Sequence, residues 1–201
     1  MSLQRLTCEG ASGEALTHVC DPCGRELGRV RGVILFDGSY NVAPLIAKLK
    51  SGKSEDATAA ATLFETAVTE GYAHLISETT GTYDGGAAQT GDGYGDEETR
   101  LLGYLYTLEF KDPSYAGNKD FYEKAESEHW IVAWRTETLL HFADKPAGIQ
   151  AIAPVEQDLT SAVSWNVTAT WKSKAKPEIA PLEPLAKYFE GCWENSGKNS
   201  D

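Results

Sequence analysis

Apolar residues recur along this chain with two periods, two and about three and a half, and the switches between them mark its elements. Residues 28–37, "GRVRGVILFD", start in alternation and run into an apolar "VILF" before Gly38, which predicts a strand ending in a turn. "NVAPLIAKLKSG" predicts a short helix with Asn41 as its N-cap and Gly52 near its stop. "SEDATAAATLFETAVTEG" opens on Ser54 and acidic residues and ends on Gly71. Within it Ala60, Leu63, Phe64, Ala67 and Val68 fall three and four apart, so one helical face can pack. The helical region thus spans 41–71.

"YAHLIS" (72–77) predicts another strand. Over 78–97 the chain reads "ETTGTYDGGAAQTGDGYGDE", and glycine and aspartate at that density predict a long exposed loop or a hairpin tip. Loops this long in compact domains commonly touch a partner or stay disordered. "ETRLLGYLYTLEFK" then alternates Leu102, Tyr104, Tyr106, Leu108 and Phe110 on one side, a long strand. A loop leads into a short helix from about Asn118, and "HWIVAWRTETLLHFAD" predicts a strand pair or one bent strand. "GIQAIAPVEQD" is a short strand stopped by Pro154, and "SAVSWNVTATWKS" alternates Val163, Trp165, Val167, Ala169 and Trp171. From Lys174 onward come Pro177, Pro181 and Pro184 and then "LAKYFEGCWE", a segment suited to docking rather than to forming core. Strands, turns and a few helices predict a mainly β chain of the α+β class, an antiparallel β-sandwich or small barrel with helical insertions.

Size and charge narrow this picture. The 201 residues, 41% hydrophobic and 24% charged, suit a single domain over 1–201. No apolar run is long enough to span a bilayer, and "MSLQRLTCEG" lacks the layout of a signal peptide, so a cytoplasmic site of synthesis and no membrane partner are expected. In that setting the four cysteines stay reduced. A net charge of −12 repels phosphate backbones and argues against sequence-specific nucleic-acid binding, while suiting a surface past which DNA must slide.

The candidate chemistry is sparse. Cys20 and Cys23 form a C-x-x-C pair with His18 two residues upstream, but Cys8 and Cys192 stand alone near opposite ends. A structural zinc site needs four such ligands, and here they would staple the termini together. A thiol redox site needs the pair to open a helix after a strand, whereas here a strand follows. The favoured reading is a tight turn at "DPCG". Gly52-Lys53-Ser54 imitates the end of a phosphate-binding loop, but the required upstream glycine is Ala47, in a helical segment. His18, His74, His129 and His141 share no metal-binding spacing, and no G-x-S-x-G elbow supports a triad. The sequon Asn166-Val167-Thr168 lacks a secretory context. Trp130 and Trp134 share one strand face, as do Trp165 and Trp171, so both pairs are expected in the core, with a subunit interface as the other use. No residue stands out as catalytic, cofactor-binding or metal-ligating, and a non-enzyme is expected.

Three stretches carry a resemblance. "TGDGYGDEETRLLGYLYTLEFKDP" with "FYEKAESEHWIVAWRTE", then "IQAIAPVEQDLTSAVSWNVTATWKSKAKP" with its P-x-x-x-D-L loop before V-x-W-x-V-x-x-x-W, and the opening "C-x-x-C…GRVRGVILFD" are similar to virion structural proteins of tailed bacteriophages, notably those infecting Bacteroidetes-type bacteria. The resemblance implies a tail-tube-like subunit, whose sheets join around a hexameric ring and whose rings stack into a conduit for DNA. Its partners would be copies of itself and other tail or connector proteins, and its location the virion, assembled in the bacterial host cytoplasm. Each strand edge would be covered by a neighbouring subunit, and the glycine-rich segment would be an arm ordered by the next ring. The helical 41–71 region departs from a minimal tube protein. It leaves open a head-tail joining or capsid-decorating role, and outside that family a small zinc-stapled binding module.

Overall fold

Gly32–Asp37 (β3) shows in six residues how the molecule is layered. Val33 and Leu35 pack on one side and Ile34 and Phe36 on the other, and all four are fully buried. An apolar run rather than an alternation is what a strand covered on both faces requires. The computed structural model describes residues 7–9 and 15–17 (backbone alone), 28–92, 99–154 and 163–190. Two strands, β1 (Thr7–Glu9) and β2 (Ala15–Thr17), form a small antiparallel pair. The other ten strands among the described residues belong to one antiparallel sheet.

After β3 come the helices α1 (Ala43–Lys50) and α2 (Ser54–Thr69), then the strands β4 (Ala73–Ile76), β5 (Gly81–Tyr83), β6 (Ala87–Asp92) and β7 (Thr99–Asp112). The helix α3 (Lys119–Ala125) precedes β8 (His129–Arg135), β9 (Leu139–Phe142), β10 (Ala147–Ile152), β11 (Trp165–Ser173) and β12 (Glu178–Pro181), and a 3-10 helix covers Glu183–Phe189. β8 is the hub. One edge carries β3, which in turn carries β4. The other edge is shared: β10 pairs at His129 and Trp130, and β9 at Ala133 to Arg135. From that fork one branch runs to β12 and the other through β11 to β7, which holds both β5 and β6 on its far edge.

The long branch curls back towards β3. Val30 makes an isolated bridge to Gly81, and the amide of Thr79 donates to the Arg31 carbonyl at 3.2 Å. The sheet nevertheless stays open, in place of the sandwich or closed small barrel expected from the strand pattern. The mainly antiparallel, α+β class expected from the sequence is the observed one.

The concave face gathers Tyr106, Leu108, Phe110, Trp130, Val132, Trp134, Val167, Ala169 and Trp171 into one core. Both tryptophan pairs point there as their even spacing predicts, Trp165 being only partly buried. Rings stack through it: Trp171 lies 5.3 Å from Tyr106, and Tyr83 lies 4.6 Å from Trp134. On the convex face α1, α2 and the 3-10 helix cover β3, β8, β9 and β12. α2 contributes Ala60, Phe64, Ala67 and Val68 at the anticipated spacing, and Leu63 sits at the margin. It ends on Gly71 at φ +81°, with the amides of Gly71 and Tyr72 donating back to Val68 and Ala67. Asn41 caps α1 from one position further out than usual, its Oδ1 accepting the Ala43 amide at 3.1 Å.

Two expectations need correction. The 78–97 stretch is not a loop throughout, because β5 and β6 occupy 81–83 and 87–92 and pair with β7. Sheet pairing supplies backbone hydrogen bonds that outweigh the turn-forming composition. The tail after Lys174 is true core rather than a docked strap: Ala180, Leu182, Leu185, Tyr188 and Phe189 are all buried.

Candidate functional site

β7 is fourteen residues long, and its two halves live differently. The C-terminal half is clamped: β11 pairs with it from Asp112 back to Tyr104, where the ladder ends at Ser173. Thr99–Gly103 therefore continues past β11, paired among the described residues with β6 alone, along its other edge. Opposite it β6 supplies four residues, Gln89–Asp92, about 14 Å of strand, so β6 and the start of β7 form a hairpin that overhangs the sheet.

The overhang is irregular by design of its residues. Gln89 pairs with Gly103 but Thr90 pairs with Leu101, so Leu102 is an extra residue, a β-bulge. The bulge breaks the alternation that would have continued Tyr104, Tyr106 and Leu108 inward. As a result Leu102 is 55% exposed and Leu101 49% exposed, two neighbouring leucines in water. The base of the hairpin is fixed by Asp84, whose Oδ1 accepts the amides of Gly86 at 2.9 Å and Thr107 at 3.0 Å. Gly86 must be glycine: its φ is +92°, and a Cβ there would lie 2.3 Å from the Tyr106 ring.

Beside the base of the overhang lies a cleft of about 590 Å³. Leu102 and Tyr104 give it an apolar floor. Lys145, from the turn before β10, and Lys172 and Lys174, from the end of β11, give it a positive rim. All three lysines are exposed, and none forms an ion pair among the described residues. Asp144 lies between them, its Oδ2 accepting the Ser173 hydroxyl while its buried Oδ1 has no hydrogen-bond partner among the described residues. Below, Tyr106 donates to the Ala175 carbonyl at 3.0 Å, pinning the chain that carries Lys174. Burial and the carboxylates of Asp144 and Asp84 push the Tyr106 phenol up, so it remains a hydrogen-bond donor at neutral pH.

A second, larger cleft of about 650 Å³ lies on the convex side of β7 and β11, where no helix among the described residues covers the sheet. Glu109, Lys111, Asn166 and Thr168 line it, so this half of the sheet presents a polar, mixed-charge face.

The remaining candidates are dispersed. His74 on β4 packs 4.6 Å from the Phe121 ring and 5.5 Å from Trp130, and burial holds its pKa below the ordinary histidine value. His141 stacks on Trp134 at 5.3 Å, and His129 is exposed at the start of β8. Among the described residues no three His, Cys, Asp or Glu side chains cluster to hold a metal. Cys8 belongs to β1, while His18, Cys20, Cys23 and Cys192 lie outside the described residues. The phosphate-loop mimic is a linker between helices: α1 occupies 43–50, Gly52 takes φ +67° and α2 begins at Ser54. Asn166 and Thr168 of the sequon are strand residues of β11. No helix among the described residues is long and apolar enough to cross a membrane.

Sequence reading missed both the exposed leucine pair and the lysine rim. The hint for the first was Gly103 beside "RLL", a glycine inside a strand pattern that often marks a bulge. Compared with protein-family models, with curated proteins and with solved structures, the chain finds no match.

Proposed function

We propose that the protein is a structural subunit of a bacteriophage virion, most directly a tail tube subunit that self-assembles into stacked rings around a conduit for DNA. The observation that carries this reading is the overhanging β6–β7 hairpin, which presents Leu101 and Leu102 on a strand whose other edge is unpaired among the described residues. Neighbouring exposed leucines on an open strand are a liability in a lone subunit and an asset in one that is covered by its neighbours. The open sheet offers further edges at β4 and β12, and Ile179 stands 50% exposed on β12. The polar convex face of β7 and β11 is the surface suited to line a conduit, and a net charge of −12 keeps DNA moving past it. The similarity of "GDGYGDEETRLLGYLYTLEFKDP" and its companion stretches to tailed-phage virion proteins points the same way.

Electron microscopy and light scattering of the concentrated protein test this directly. Rings or tubes are the expected result. A monodisperse 21.8 kDa monomer at high concentration would overturn it.

A further inference from the structure

Five lysines of the described residues, Lys48, Lys50, Lys119, Lys124 and Lys187, are each matched by a carboxylate in an ion pair. The cleft at the base of the overhang breaks that pattern. Lys145, Lys172 and Lys174 line it, the exposed Lys176 follows two residues on, and none of the four has an ion pair among the described residues. One acid lines the cleft, Asp144, and its charge is already engaged: Oδ2 accepts the Ser173 hydroxyl and Oδ1 is buried. Ser173 is held in turn by the Ala175 amide, which donates to its Oγ at 3.0 Å. Three ammoniums against one half-buried carboxylate leave a local positive site on a chain of net charge −12. A cleft lined by one sign of charge concentrates the opposite ion.

The same cleft has an apolar side. Leu102 is exposed by the bulge, and Tyr104 is half-buried with its ring 6.0 Å from that of Tyr106. Gly103 lets this floor approach the lysine strand closely. Its φ is +153°, and a Cβ there would lie 3.1 Å from the Ser173 carbonyl oxygen and 3.7 Å from Cγ of Lys174. Gln89 and Thr90 add an amide and a hydroxyl. The volume of about 590 Å³ suits a small organic ligand.

We infer that this cleft binds a nucleotide, its phosphates among Lys145, Lys172 and Lys174 and its base against Leu102 and Tyr104. Lysine is a compact point charge that suits phosphate oxygens arriving from several directions. A planar carboxylate is better met by the fork of an arginine, and no described arginine lines the cleft. A flat base gains from an aromatic ring, whatever its sequence. Free nucleotide and a single strand offer this same chemistry. The inference goes beyond the self-assembly reading and does not need it. Leu102 is shared with the overhang, so the test uses the dilute, unassembled full-length chain.

Calorimetric titration with ATP, a short oligothymidylate and inorganic tripolyphosphate tests the site. Saturable binding of ATP or of the oligothymidylate is expected, and the tighter of the two names the source. K172A/K174A should weaken it at least about tenfold, while K119A/K124A, an equal change in charge, should leave it unchanged. Tyr104→Ser should weaken the nucleotide but not tripolyphosphate. No saturable binding up to about 1 mM of either nucleotide ligand overturns the site. Equal weakening by both lysine pairs overturns it too, as does tripolyphosphate binding as tightly as ATP. Unaltered circular dichroism and melting are required of each variant, and the exposed lysine pairs keep the test decisive should Tyr104→Ser fold poorly. Rings without nucleotide binding refute the site but not the tube; nucleotide binding without rings refutes the tube but not the site.

Discussion

The hydroxyl of Tyr122 donates to Oδ2 of Asp112 at 2.8 Å, a bond that ties α3 to the last residue of β7. Asp112 is 2% exposed, one of very few buried charged side chains among the described residues. Its other acceptor sites are filled by the Ser114 amide at 2.8 Å and the Asn118 amide side chain at 2.7 Å. A buried carboxylate is tolerable only with such partners.

Tyr122→Phe should therefore destabilise the protein by about 1–3 kcal/mol, because it leaves a buried acceptor short of a donor while preserving the packed ring. Urea unfolding measures it. A loss smaller than about 0.5 kcal/mol would show that Ser114 and Asn118 suffice.

Alkaline pH should weaken the fold through the same residue. Burial first, and then the neighbouring Asp112 charge, pushes the Tyr122 phenol well above its ordinary value, and burial raises Tyr83 likewise. A raised folded pKa contributes stability that is fully present below the unfolded value of about 10 and is lost as pH rises above it. Melting temperatures should hold steady from pH 8 to about 10 and then fall, with a shallower fall in Tyr122→Phe. An unchanged melting temperature at pH 11 would contradict this.

Mild acid acts through His74. Burial is the main cause of its lowered pKa and Lys124 adds to it, while Asp37 opposes. A lowered folded value contributes stability that is present above about pH 6.5 and is lost as pH falls below it, since the unfolded histidine takes up a proton that the native one resists. The carboxylates held low by hydrogen bonds, Asp37 through Ser39 and Glu65 through Tyr188, begin to matter only below about pH 4. A stability decline between about pH 6.5 and 5 should shrink in His74→Phe, which keeps a ring against Phe121 and Trp130. An NMR midpoint for His74 above 6.5 would refute the sign.

Leu101 and Leu102 separate assembly from folding. Both are half exposed, so L101S/L102S should change stability by no more than about 0.5 kcal/mol. The same variant should lose rings or tubes in micrographs. Retained tubes would mean the leucines face solvent in the assembly, and a large stability loss would mean they are packed in the lone subunit.

What the sequence made legible follows from which physical signals are local. The two-sided burial of β3 was written as "VILF", the inward face of β7 as Tyr106, Leu108 and Phe110, and the buried stripe of α2 as Ala60, Phe64 and Ala67. Phase was lost where one extra residue shifted it, so Leu102 was placed inward on a period that the Gln89/Thr90 bulge had already broken. β5 and β6 were hidden because their stability comes from hydrogen bonds to β7, not from their own glycine-rich composition. The lysine rim was invisible for a related reason. Lys145 meets Lys172 and Lys174 because β10 pairs antiparallel with β11, a pairing on which no local pattern reports.

The overhang of β7 is also a ruler. Its span is counted in paired positions beyond the end of the β11 ladder at Tyr104, from Gln89↔Gly103 to Asp92↔Thr99, and each is worth about 3.4 Å. Adding one residue pair, one to each strand, would lengthen it by that step and turn every following side chain to the opposite face. Adding two would restore the facing and lengthen the reach by about 7 Å. The reach of the hairpin is thus quantised, and it could be edited two residues at a time.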